Sequence, residues 1–330
     1  MIVASGLLAG SIALRQRVRR YFEGRLKRLA TLLFCSLSAI APASALVLPV
    51  TGLNERTAFI EITPADGGGE RIRMQYTLYR PDGPGPFPLA LINHGRSRDP
   101  RSQPADRPVV LAREMVARGY AVVAPMRRGF AETLGRYQDN PCTYHRRIDA
   151  DGLAHQREWD ATEEAFDLHA FVNAVVGFRE IDRSRIVLVS QSGGFTSTLG
   201  YMTTPRIGVL GYINFVGGGF SDCAGQDDLG LTRQAGAQLG RQVKRPGLWI
   251  YASRDSFVSA RTYRVMFDSF VAAGGDASWI ELDPPIEEGH YMLGDKRAVS
   301  VWWPHVETFL QRLGLPTEVR YRVTSRTANK

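Results

Sequence analysis

Along this 330-residue chain, short strand-forming runs alternate with stretches in which apolar residues return every three or four positions. The runs lie near 57–63, 71–80, 88–93, 120–125, 185–190, 208–214, 247–252 and 277–282. The first two predict an antiparallel start. The other six are separated by helical stretches and so predict parallel strands, since a helical crossover returns the chain in the same direction. The helical stripes are Ala161, Ala165, Leu168, Val172 and Val175, then Tyr263, Met266, Phe267, Phe270 and Val271, then Trp302, Val306, Phe309 and Leu313. Two more helices are expected, from Gly193 to about Thr203 through Phe195, Leu199 and Met202, and around 231–243. Gly119 and Gly274 fall where helix C-caps belong, because a left-handed closing residue is cheapest as glycine. The stripes are core faces and not cofactor sites. The fold class that follows is α/β: an eight-stranded, mostly parallel sheet flanked by helices.

Composition narrows the organisation. With 44% hydrophobic residues the chain can bury one large core, placed at 46–315, and has no room for a separate cap domain. The most substantial insertion, Phe130 to about Glu158, is polar and should form a loop wall. The segment Gly217-Gly218-Gly219-Phe220-Ser221-Asp222-Cys223 leads only to the helix near 231.

The net charge of +8 raises a nucleic-acid reading, but its distribution excludes one. Arg15, Arg17, Arg19, Arg20, Arg25, Lys27 and Arg28 outnumber the lone Glu23 in residues 1–45. Arg320, Arg322, Arg326 and Lys330 load a C-terminal tail, 316–330, expected to be flexible. The folded body is close to neutral, so no basic patch remains to grip phosphates.

Residues 1–45 read as a secretory leader: a basic stretch, an apolar run from Leu29 to Ala41, then an A-x-A site at Ala43-Ser44-Ala45. The run is shorter than the roughly 20 residues a membrane span needs, so no stable insertion is expected after cleavage. The expectation is an exported protein, periplasmic or secreted. Export leaves Cys142 and Cys223 in the mature chain, both on loops after strands, and predicts a disulfide between them in an oxidising compartment.

The chemistry centres on Ile186-Val187-Leu188-Val189-Ser190-Gln191-Ser192-Gly193-Gly194. A strand runs into a turn with Ser192 at its apex and small residues, Ser190 and Gly194, two places to either side. A tight strand-to-helix turn needs small residues there and exposes the hydroxyl to a base. Two partners follow in the order acid, then histidine. Asp255 comes after the strand Leu248–Ala252, and His290 after Ser278–Leu282. Both lie past strand carboxyl ends, the ligand side of an open α/β sheet. Asp255 could instead cap the helix that starts near 259, and His290 could be an ordinary loop histidine; Asp283 is a competing acid on the histidine's own loop. Leu89–Asn93 runs into His94-Gly95-Arg96, so the Arg96 amide is the expected oxyanion-hole partner of the Gly193 amide, with His94 and Gly95 shaping the supporting turn.

From about 46 to 315 these marks, together with Val122-Val123-Ala124-Pro125-Met126-Arg127-Arg128-Gly129, resemble the α/β-hydrolases. Within them the chain is similar to the dienelactone hydrolase group and its relatives among prolyl oligopeptidase-type and secreted esterases. That group carries a cysteine nucleophile. The serine here removes the lactone implication and points to a small-molecule ester substrate. No H-E-x-x-H, C-x-x-C, Gly-Lys or S-x-x-K motif occurs, so no metal and no cofactor are expected. Three readings stand: a secreted serine esterase; a peptidase or amidase on the same triad, with Glu287, Glu288 or Tyr291 to hold a substrate amine; and a non-catalytic binding protein on a hydrolase scaffold.

Overall fold

The computed structural model describes residues 52–65, 71–96, 99–135, 164–219 and 228–323, all within the unit Pro49–Lys330. The strands are β1 (Arg56–Ile62), β2 (Ile72–Tyr79), β3 (Phe87–Asn93), β4 (Ala121–Pro125), β5 (Ile181–Gln191), β6 (Val209–Phe215), β7 (Gly247–Ala252) and β8 (Ala277–Leu282). They form one sheet in the order β1-β2-β4-β3-β5-β6-β7-β8. The β1–β2 and β2–β4 pairs are antiparallel and the rest parallel.

Burial follows the pattern in the sequence. Every residue of β3, β4 and β7 is buried, as unbroken apolar runs demand, whereas the edge strand β1 is largely open. The helices between strands are α1 (Val109–Ala117), α2 (164–175), α3 (Gly194–Met202), α4 (Leu229–Gln242), α5 (Ala260–Ala272) and α6 (Val299–Arg312). Gly119 and Gly274 both close helices at φ +95°. Between sheet and helices, Trp249 meets Phe195, Phe267 and Phe270 with ring centroids 4.7 to 5.4 Å apart. Truncating such a buried tryptophan costs about 3–5 kcal/mol.

Two expectations change. Val271 is 40% exposed, so the α5 core stripe ends at Phe270, the last position facing the sheet before the C-cap. The tail does not begin at 316. Tyr120 donates its hydroxyl to the Pro316 carbonyl, the Arg320 and Tyr321 amides donate to Ala117 O, and Tyr321 meets Phe87 edge-on. An aromatic ring and these hydrogen bonds, with another from Arg118 Nε to Thr317 O, dock a segment that its charge alone marks as solvated.

The expected leader 1–45, Cys142, Cys223 and most of the 130–158 insertion lie outside the described residues. Among the described residues no helix is long and apolar enough to cross a membrane.

Because β4 lies on one side of β3 and β5 on the other, the chain reverses its direction of progress across the sheet at β3. A crevice opens at the carboxyl ends of the strands flanking such a switch. Gly95 and Ser192 follow those ends directly.

Candidate active site

Ser190 lies opposite Asn93 in the β3–β5 register, and the chain leaves β5 at Gln191 to enter α3 at Gly194. Ser192, between them, is left-handed at φ +51°, a conformation that non-glycine residues adopt rarely and usually where a site requires it. Its amide donates to Phe215 O and its carbonyl accepts from the Phe195 amide, so both sides of the bend are pinned. The bend brings α3 against the loop after β3. A side-chain carbon at Gly194 would sit 2.6 Å from His94 O and closer still to Asn93 O. Ser190 is fully buried and donates to Ile213 O at 3.4 Å.

The structure brings the three candidate residues together. Ser192 Oγ donates to His290 Nε2 at 2.9 Å, and His290 Nδ1 donates to Asp255 Oδ2 at 2.9 Å. Gly289 makes the approach possible. Its amide donates to Arg254 O at 2.6 Å, and a side-chain carbon there would collide with Ala252 and lie 2.7 Å from Arg254 O. The histidine loop is thereby stitched to the loop that carries the acid.

Asp255 accepts from the Phe257 and Val258 amides at 2.8 and 3.3 Å through Oδ1, and from the Tyr263 hydroxyl at 2.8 Å through Oδ2. Burial acts to raise its pKa, but the hydrogen bond and charge of His290, the Phe257 amide and Tyr263 outweigh burial and hold the carboxyl below its usual range. Helix α5 is capped instead by Ser259, which accepts from the Thr262 amide. Asp283 pairs with Arg254 at 2.8 Å, so the competing acid is engaged elsewhere.

Three contributors escaped the sequence reading, and a fourth, Glu288, takes a role other than the amine-holding one expected of it. Tyr263 reads as core, yet its hydroxyl reaches Asp255 from the first turn of α5; a polar-tipped aromatic eight residues after the acid is the available signal. Phe257 stacks on the His290 ring, centroids 4.3 Å apart and planes 17° apart. Gln191 donates to the His290 carbonyl at 3.1 Å. Glu288 accepts from the His290 amide at 2.9 Å and from the Ser256 amide and hydroxyl.

On the opposite side, Gly95 packs on the elbow; a side-chain carbon there would meet Ser192 Cβ at 3.2 Å. The Arg96 stem lies across Gly193. Among the described residues, neither the Arg96 nor the Gly193 amide donates to a protein acceptor. His94 is 2% exposed, with Nδ1 donating to Gly95 O at 2.7 Å and Nε2 accepting from the Arg127 amide at 3.0 Å. Burial and then the Arg127 charge, against the Gly95 carbonyl, push its pKa well below the usual histidine range. An open groove of about 560 Å³, lined by Val110, Gln191, Tyr291, Gly294, Asp295 and Lys296, flanks the serine and histidine loops.

No family model and no curated protein matches the chain. Solved structures do. The chain is similar to the acylaminoacyl peptidase of Pyrococcus horikoshii at TM-score 0.54 and 15% identity, over 82% of this chain and 43% of that one. An esterase of Pyrococcus furiosus matches at TM-score 0.54 and 16% identity, over 82% of this chain and 96% of the esterase. Dipeptidyl peptidase 4 of Porphyromonas gingivalis matches at TM-score 0.52 and 15% identity, over 78% and 35%. The chain thus spans less than half the length of the two peptidases. These likenesses establish the α/β-hydrolase fold.

Proposed function

We propose that this chain is a serine hydrolase that cleaves carboxylic esters through an acyl-enzyme on Ser192. The observation that carries the reading is the unbroken relay from Ser192 Oγ through both ring nitrogens of His290 to Asp255 Oδ2, each link 2.9 Å long. His290 takes the serine proton as Oγ adds to the ester carbonyl, and Asp255 fixes the tautomer and faces the positive ring. The oxygen that gains negative charge lies toward the Gly193 and Arg96 amides. Collapse expels the alcohol, which receives the proton from His290, and water repeats the sequence to release the acid.

Ester is preferred over amide because one amine-holding candidate, Glu288, is occupied by Ser256 and the His290 amide, leaving Glu287 and the exposed Tyr291. The open groove suits small esters. The leader-like pattern of residues 1–45 supports action outside the cytoplasm, to be checked by N-terminal sequencing of exported protein, with non-reducing mass spectrometry for the proposed Cys142–Cys223 bridge.

The deciding experiment is a panel of short-chain aryl esters and aminoacyl anilides turned over by wild type and Ser192→Ala. Ester turnover lost in the variant supports the proposal, anilide turnover alone replaces it with the peptidase reading, and neither activity leaves a binding protein.

A further inference from the structure

The Gly95–Arg96 peptide is held from its carbonyl end. Gly95 O accepts from His94 Nδ1 at 2.7 Å and from Arg127 Nη2 at 2.9 Å, which occupies both lone pairs of the oxygen. The Arg127 amide closes the ring of contacts by donating to His94 Nε2 at 3.0 Å. A backbone N–H can only donate there. Nε2 is therefore the acceptor, and Nδ1 carries the proton that reaches Gly95 O. The guanidinium is itself seated, with Nη1 3.1 Å from Glu164 Oε1 of α2 and its side chain 9% exposed.

We infer that Arg127 and His94 are positioning residues that aim and polarise the Arg96 amide toward the oxyanion formed at Ser192. This rests on the serine hydrolase reading above. The physical step is the rigidity of the peptide plane: in a trans peptide the N–H points opposite to the C=O, so two donors that fix the Gly95 carbonyl fix the Arg96 N–H as well. One of those donors is a buried cation. It draws electron density toward the carbonyl oxygen and leaves the amide proton more positive, in a setting of low dielectric where such an effect is large. Gly95 rests against Ser192, so the peptide that carries this N–H adjoins the nucleophile. A donor set in place before the reaction costs no reorganisation when charge develops.

Removing Arg127 alone strands Glu164, so the informative variant is Arg127→Met/Glu164→Gln, with His94→Gln as a second and Arg127→Lys as the conservative control. Each is assayed in the full chain for kcat and KM on a short-chain aryl ester, and for inhibition by a trifluoromethyl ketone that forms a tetrahedral adduct. The double variant is expected to lose about 30-fold in kcat, less than deletion of a whole oxyanion donor costs, with KM within about threefold and ketone affinity weakened by the same factor as kcat. Arg127→Lys should recover part of both. Unchanged kcat and ketone affinity in a variant with wild-type circular dichroism, or a loss confined to KM, overturns the inference. A wild type that neither turns over esters nor reacts with a fluorophosphonate at Ser192 overturns the underlying reading instead.

Discussion

Two histidines stand past the carboxyl ends of parallel strands, both buried and both with each ring nitrogen engaged, and only one is equipped to move a proton. His290 accepts at Nε2 from a hydroxyl that can surrender its hydrogen, and donates at Nδ1 to a carboxylate that welcomes a positive ring. His94 accepts from a backbone amide that keeps its hydrogen, donates to an uncharged carbonyl, and lies beside the Arg127 cation. Burial and location do not separate them. The chemical identity of their partners does. The carboxylates of the two regions diverge in the same way: Asp255 is held below its usual range by its neighbours, whereas Asp106, on the Arg127 side, is pushed up to about 6 by burial that the Arg107 amide and Arg127 only partly offset.

The contrast can be broken most severely at His290. His290→Gln should lower kcat by about 10⁴-fold or more, against about tenfold for His94→Gln, as measured by ester turnover in parallel preparations. If the two losses are equal, the distinction falls. Asp255→Asn, which leaves the geometry but reverses the tautomer preference, should cost about 10³- to 10⁴-fold in kcat.

The Asp106 contrast is one of stability. Its folded pKa of about 6 exceeds the unfolded value of 3.8, so between those pH values the native chain holds a proton that the unfolded chain has lost, and stability falls as pH rises through that window. Asp106→Asn should abolish this slope and stabilise the folded chain at pH 7, read from denaturant melts at pH 4 and 7. Asp255 has the opposite sign, its contribution being present above about pH 4 and lost as pH falls through its depressed folded value. The smallest effect is Tyr263→Phe, which removes one of two donors to Asp255 Oδ2 and should lower kcat about fivefold, roughly 1 kcal/mol, with KM unchanged; a fall in KM would point to a contact with substrate instead.

The sheet was legible because unbroken apolar runs such as Ile186–Val189 have few alternatives, and the elbow because close backbone approach admits only small residues at Ser190 and Gly194. What stayed hidden depends on groups with no sequence signature. The partner of Arg127 is a backbone carbonyl, which every residue carries. Tyr263 occupies an apolar stripe position while its hydroxyl serves another purpose. Phe257 looks like a stray exposed aromatic until a ring lies on it. The docking of Tyr321 is a long-range contact that the basic residues around it disguise.

One backbone torsion ties the two regions together. Val216 follows β6, midway between the strands that present serine and oxyanion donors and those that present acid and imidazole, and it is left-handed at φ +48°, an outlier for a β-branched residue. Its amide donates to Ile250 O in β7, and its carbonyl oxygen lies 2.9 Å from the Tyr263 hydroxyl, whose single hydrogen it shares with Asp255 Oδ2. This residue is a seam under tension, across which one half of the sheet is laced to the other. Glycine at 216 would keep both backbone contacts and adopt the left-handed torsion without strain, so the lacing, and with it the alignment of serine with imidazole, should hold.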